Sequence, residues 1–415
     1  MSAPAYAAPA ERLDPVAAAD RLPLLDVLRA CALYGVLLAN TVWFSGRAFV
    51  PREAGPTPGL TVDEVVGVVI QIFVDGKAMT LFSFLFGLGF AVQLERAEAR
   101  GRNGLPVYLR RLGILLAIGA CHVVLIWWGD VLWNYALAGF VMVLFRRCRA
   151  RTLLIWGVLL AVVPQLVGSI PAVAAFLERV LPHPHDHAVF QAQVLEAIRG
   201  DDRAHLIRTH VSQALYHATG MPLSFIAWTL SRFLLGYAVG RSRILHDVAA
   251  RRPLFRKLLG WGIGIGVACA VVLLVRRGFV RNGRTLSTGI KIALKVPDEL
   301  GVLATATAYL AALALLMERP AWQRRLMILA PAGQMALTNY LSQSLICTFL
   351  FYGWGLGLSG RVGTALSVPI TLAIFTVQVL WSRAWLRRFR FGPAEWVWRS
   401  LAYGQRQPMR RLEPR

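Results

Sequence analysis

Apolar residues in this chain gather in long unbroken runs rather than in the one-sided stripes of water-soluble helices. A helix that crosses a bilayer needs about 20 mostly apolar residues, because hydrocarbon cannot satisfy exposed backbone groups. Runs of that quality occupy 22–43, 78–95, 108–128, 130–146, 152–178, 222–241, 257–276, 299–317, 327–352 and 362–386. They predict an all-α fold, a polytopic membrane helix bundle of about ten transmembrane helices. Trp128-Gly129-Asp130 splits one long apolar stretch into a tight hairpin, Gly and Asp being turn residues. Residues 61–75 carry Asp63, Glu64, Gln71 and Asp75, and a helix of that length rises only about 22 Å. The segment reads as a short amphipathic helix after the first span, lying on the surface or packed as a re-entrant piece.

Charge then orients the bundle. Of 415 residues, 56% are hydrophobic and 16% charged, against roughly 25% charged in soluble domains. Lys and Arg number 45 against 22 Asp and Glu, for a net charge of +23. The basic residues sit in clusters between apolar runs, as in the cytoplasmic loops of membrane proteins, so no nucleic-acid partner is expected. With ten crossings and a cytoplasmic N-terminus, 29 Lys/Arg fall on the cytoplasmic side and 13 on the other. That bias supports a bacterial inner-membrane protein with both termini in the cytoplasm. The segment 276–298, with six Lys/Arg, breaks the pattern. Either it is translocated regardless of charge, or it attracts something anionic.

Residues 1–21 read as a disordered cytoplasmic N-terminus, 22–388 as the bundle with 181–221 as a periplasmic loop, and 389–415 as a basic cytoplasmic tail. Residues 1–20 lack the apolar core of a signal peptide, so the first helix is expected to target the chain. In the tail, Glu395-Trp396-Val397-Trp398-Arg399 reads as an interfacial anchor. Five widely spaced cysteines form no CxxC pair and read as small buried helix residues.

Polar side chains at membrane depth cost several kcal/mol unless partnered, so each is a candidate. The first helix carries Asp26, Arg29 and Asn40; Arg29 and Asn40 lie within about 20° of one another around the axis. Asp26 and Arg29 either pair at i,i+3 or form part of a binding stripe, and the alternative for Asn40 is a helix cap. His122, about 9 Å below the hairpin by helix rise, precedes Asp130, Asn134 and Tyr135. A His with a neighbouring carboxylate is the minimal general base, the acid fixing the tautomer. The alternative is a His satisfied in a helix interface with Asp130 as a turn residue. Arg232 sits mid-span and must pair with an acid or bind an anion. Gln334, Thr338, Asn339 and Gln343 lie on one spanning stretch, either as interhelical glue or as the lining of a polar cavity. The histidines of 183–187 are broken by prolines and lack a platform, so no metal is expected. No P-loop, GxGxxG after a strand, HExxH or GxSxG is present, which excludes ordinary soluble nucleotide chemistry.

Taken together, several stretches resemble one family. They are Leu25-Asp26-Val27-Leu28-Arg29 with Asn40; Gly76-Lys77 with 81–87; and His122 with Gly129-Asp130 and Tyr135. In the second half they are Arg232 with Leu235-Gly236, Gly333 to Tyr340, Gly392-Pro393-Ala394-Glu395-Trp396, and Arg399. The chain resembles, nearly end to end, the YeiB-like family of bacterial inner-membrane proteins, domain of unknown function 418. Its opening helix is similar to that of membrane acyltransferases that pass an acetyl group from cytoplasmic acetyl-CoA to a sugar on the far side. Those enzymes carry a catalytic His in the far-side loop after the first helix. Residues 43–77 here contain no His, and His122 is the substitute near the same face.

The expectation is therefore a membrane-embedded acyltransferase with His122 as base, oriented by Asp130. Asp26, Arg29, Asn40, Tyr135, Arg232, Gln334, Thr338, Asn339 and Gln343 would bind substrate or acyl donor. Expected partners are the bilayer, acyl-CoA as co-substrate and a periplasmic or lipid acceptor, with no permanently bound cofactor. A transporter or exporter and a non-catalytic membrane scaffold are the alternatives. Acceptor, acyl chain and oligomeric state, a homo-oligomer included, are left open.

Overall fold

The computed structural model describes residues 22–50, 61–99, 101, 103–180, 187–220 and 222–411; the predicted N-terminal tail lies outside them. The helices of the first half are α1 (Pro23–Phe44), α2 (Val62–Phe73), α3 (Lys77–Ala99), α4 (Leu105–Leu125), α5 (Leu132–Met142) and α6 (Ala150–Gly168). Three shorter ones follow, α7 (Pro171–Val180), α8 (His187–Arg199) and α9 (Arg203–Gly220). The second half holds α10 (Pro222–Ser242), α11 (Arg252–Arg281), α12 (Thr288–Ala293), α13 (Lys295–Met317), α14 (Pro320–Leu326), α15 (Ala330–Gln334), α16 (Ala336–Phe351), α17 (Thr364–Arg388) and α18 (Pro393–Tyr403). No strand occurs among the described residues beyond an isolated bridge between Phe389 and Arg410. We call the end carrying the α4–α5 turn and α7–α9 the upper end. The end carrying α14, α15 and α18 is the lower one.

Local chemistry sets the boundaries. Proline stands in the first turn of α1, α4, α11 and α18, where its missing N–H has no intrahelical partner to lose. Thr61 and Glu64 cap α2 reciprocally. The run 152–178 divides after Gly168, where Pro171 opens α7. The run 327–352 divides at Met335, which leaves helical geometry at φ −106° and ψ 32°.

The bundle is apolar on its outer faces and encloses buried polar groups within an otherwise apolar core. Large apolar side chains stand exposed along α6 (Ile155, Val158, Val163), α11 (Val267, Val271, Val275) and α17 (Leu372, Val377, Leu380), while Arg232, His122, Asp130, Asn134 and Asn339 are buried. A water-soluble domain does not expose apolar faces of this extent. Seven described stretches are long and apolar enough to cross a membrane: α1, α2 with α3, α4, α6, α11, α12 with α13, and α17. The other three predicted runs form α5, α10 and α16, packed among these. Gly87 of α3 meets the Phe233 backbone, and Gly236 of α10 meets that of Phe84. A side chain at either glycine would push the two helices apart.

Neither reading for 61–75 describes α2, which continues through a break at 74–76 into α3, the two forming one apolar stretch, Val62–Ala99. Helix α2 buries no residue and exposes Val62, Val65, Val69 and Phe73 along one face. Asp63 bonds Arg47 at 2.9 Å and accepts from the Ala365 N–H at 2.9 Å, tying α2 to the upper end of α17. Its other end reaches inward: the Phe73 carbonyl accepts from Tyr309 Oη at 2.8 Å.

Residues 187–220 of the predicted periplasmic loop form α8 and α9, which bury Val194, Ile198, Leu206 and His210 over the upper end. The tail helix α18 docks on the bundle. Trp398 Nε1 donates to the Arg111 carbonyl at 2.9 Å, and the Arg111 guanidinium stacks on the Trp398 ring. Of the cysteines only Cys347 is buried, and Cys121 faces outward; all five thiols are free.

Candidate functional site

The α4–α5 turn carries the predicted base. His122, in the last turn of α4, is 1% exposed, and its Nδ1 lies 3.0 Å from Asp130 Oδ1. The two stand out of line, so neither ring nitrogen completes a hydrogen bond with the described residues. Tyr340 of α16 donates to the same carboxylate oxygen at 3.1 Å and accepts from the Val131 N–H at 3.2 Å. Asp130 Oδ2 accepts from the Trp133 N–H at 3.1 Å, a local bond that fixes the carboxylate at the start of α5. The result is a buried imidazole, carboxylate and phenol drawn from α4, the turn and α16. Tyr340 belongs to a motif visible in the sequence, yet its contact with a residue 210 positions away was not.

A second buried histidine lies close by. His210 of α9 is 1% exposed, its Nδ1 is 3.4 Å from the Val124 carbonyl, and its Nε2 has no hydrogen-bond partner among the described residues. Burial, helped by the charge of His122, pushes its pKa down to about 4 against the Val124 contact, which raises it. No sequence signal singles out His210, because α9 reads as a solvated loop segment.

From Asp130 a polar layer continues across the bundle. Asn134 Nδ2 donates to Thr229 Oγ1 at 2.7 Å, and the Tyr135 hydroxyl sits 2.6 Å from Ser83 Oγ. Beyond it Arg232, fully buried, forms an ion pair with Glu299 of α13. The guanidinium also donates to the Trp228 carbonyl at 3.2 Å, reaches Thr80 Oγ1 at 3.4 Å and lies 3.8 Å over the Trp228 ring. Trp228 Nε1 donates to Glu299 Oε2 at 3.2 Å. Of the two roles open to Arg232, pairing with an acid is the one the geometry displays. Glu299, an acid at the start of an apolar run, is marked in the sequence as needing a partner, but not as needing this one.

The remaining candidates divide. Asp26 and Arg29 pair at 2.8 Å near the lower end. Asn40 makes no hydrogen bond with the described residues and lines a cleft of about 280 Å³ between α1, α3, α6 and α10. The amides of α16 bind its neighbours. Asn339 Nδ2 donates to Ser382 Oγ at 2.9 Å, and Gln343 Nε2 donates to Gln378 Oε1 at 2.9 Å. Gln378 Nε2 in turn donates to the Asn339 carbonyl at 2.9 Å and to Ser342 Oγ at 2.7 Å. These side chains are glue between α16 and α17. Thr338 is held by Glu395 of α18, which accepts from the Leu337 N–H at 2.7 Å, the Thr338 N–H at 3.1 Å and Thr338 Oγ1 at 2.5 Å. Glu395 thus caps the start of α16 from another helix. Gln334, half-buried in α15, makes no hydrogen bond with the described residues.

An all-helical bundle with an apolar exterior and a buried polar layer is a membrane protein. This chain belongs to the YeiB-like DUF418 family. The family model described as "Protein of unknown function (DUF418)" matches residues 239–405. The chain is 35% identical over 414 residues to "Uncharacterized protein YxaH" of Bacillus subtilis (strain 168), covering 96% of this chain and 98% of that protein. It is 28% identical over 409 residues to "Uncharacterized protein YeiB" of Escherichia coli (strain K12), covering 92% and 96%.

Proposed function

We propose that this protein is a membrane-embedded acyltransferase of the bacterial inner membrane, its lower end cytoplasmic and its upper end periplasmic. The observation that carries the reading is His122: a buried imidazole beside Asp130, with Nε2 unpartnered among the described residues. Buried polar atoms are nearly always satisfied, so an orphaned ring nitrogen beside an acid suits a substrate proton. Acyl-CoA would approach from the cytoplasm, where Arg29 offers a half-buried guanidinium to its phosphates. The acceptor hydroxyl or amine would bond to the thioester carbonyl carbon while its proton passes to His122 Nε2. The C–S bond then breaks, and the proton leaves with the CoA thiolate as the thiol. Asp130 and Tyr340 would hold the imidazole and its charge.

The test is acyl-CoA consumption by the purified protein in nanodiscs. His122→Ala should lower turnover by about 10²-fold or more, and unchanged turnover removes the catalytic assignment. A second reading, transport, draws on the helix break between α2 and α3, which lines the cleft. Vesicle uptake that persists without any acyl donor selects it.

A further inference from the structure

The break between α2 and α3 lies below the upper end on the outer side of the bundle, where Phe73 and Asp75 are exposed and Val74 and Gly76 half-buried. Gly35 of α1 packs against Val74 and Ala78. By helix rise it stands about 13 Å beneath the upper end of α1. Irregular backbone at such depth persists only where protein or a cavity surrounds it. Here the Val74 N–H donates to the Ile70 carbonyl at 2.7 Å, and Lys77 Nζ donates to the Gln71 carbonyl at 2.7 Å. Gly76, at φ +75°, makes the turn.

Val74 and Gly76 form one wall of the 280 Å³ cleft, facing Val36, Met79 and Phe225. The Trp228 ring closes it, held from behind by Arg232 and Glu299. Its polar side chains are the amides of Asn40 and Gln165; among the described residues no charged side chain lines it. Gln165 comes from α6, where neighbouring Val163 and Val167 face outward. The volume falls just below the range of small-molecule sites, about 300–1,000 Å³, so it suits part of a ligand. Apolar walls at membrane depth fit a hydrocarbon chain. The uncharged lining disfavours a phosphate.

We propose that this cleft binds the chain of a membrane lipid whose head region is uncharged, Asn40 and Gln165 meeting its hydroxyl or ester groups. This site does not depend on the transfer reading, since neither His122 nor Asp130 lines it. The experiment reconstitutes the full chain in phosphatidylethanolamine vesicles containing a diacylglycerol with a diazirine on one chain. After photolysis, labelled peptides are mapped by mass spectrometry. Labelling is expected at 74–79 and 225–228, saturable by unlabelled diacylglycerol, and lower by about tenfold in Ala39→Trp, which fills the cleft. Labelling that spreads evenly over α11, or that does not saturate in the wild type, overturns the site whether or not the variant folds. Equal labelling by a phosphatidylglycerol probe overturns the uncharged head. Displacement by palmitoyl-CoA assigns the cleft to the donor chain and overturns the lipid. Acyl-CoA turnover is read separately, so loss of the transfer reading leaves these outcomes distinct.

Discussion

Arg232 and Glu299 are buried opposite charges, each of which would be stranded without the other. Removing one partner of such a pair costs about 3–5 kcal/mol, whereas replacing both by apolar residues is far milder. Arg232→Met alone should therefore lower thermal stability in detergent more than Arg232→Met with Glu299→Leu. Equal losses would deny the pair its coupling. Arg232 was legible in the sequence, because a cation deep in an apolar run needs a partner. The identity of that partner was not, since Glu299 lies 67 residues away and hydropathy carries no register between helices. The same holds for Gln378 and Ser382, whose contacts with α16 decide that its amides are glue.

At the scale of elements, the runs of apolar residues located the spanning helices, and charge and turn residues located the α4–α5 hairpin. What they could not reveal was α8 and α9, whose sequence is too polar to stand out, or the breaks at Gly168 and Met335. The docking of α9 carries a pH dependence. Burial holds His210 at a pKa of about 4, below its ordinary 6.5, so undocked α9 binds a proton more readily than docked α9. Docking is then strongest above about 6.5 and weakens as pH falls toward 4. Hydrogen exchange in 203–216, corrected for its intrinsic pH dependence, should rise over that window, and His210→Phe should flatten the rise. A flat wild-type profile would remove the effect.

For the whole molecule, recognition of a family through scattered motifs anticipated the architecture, and the long relatives bear out the family end to end. The motif containing Glu395 shows why such residues matter together: it joins α18 to α16. Truncation after Arg388 should leave the α16 start uncapped, lowering stability by roughly 1–3 kcal/mol. Thermal unfolding of the truncated chain beside Glu395→Ala measures it, and an unchanged midpoint in both contradicts the cap.

That cap also bears on the order of events at the ribosome. The carboxylate that seals the start of α16 lies 58 residues downstream of the first amide it caps, so α16 is synthesised well before its cap. A prematurely terminated product would reach the membrane with open amides in its interior, a visible mark for the proteases that clear faulty chains.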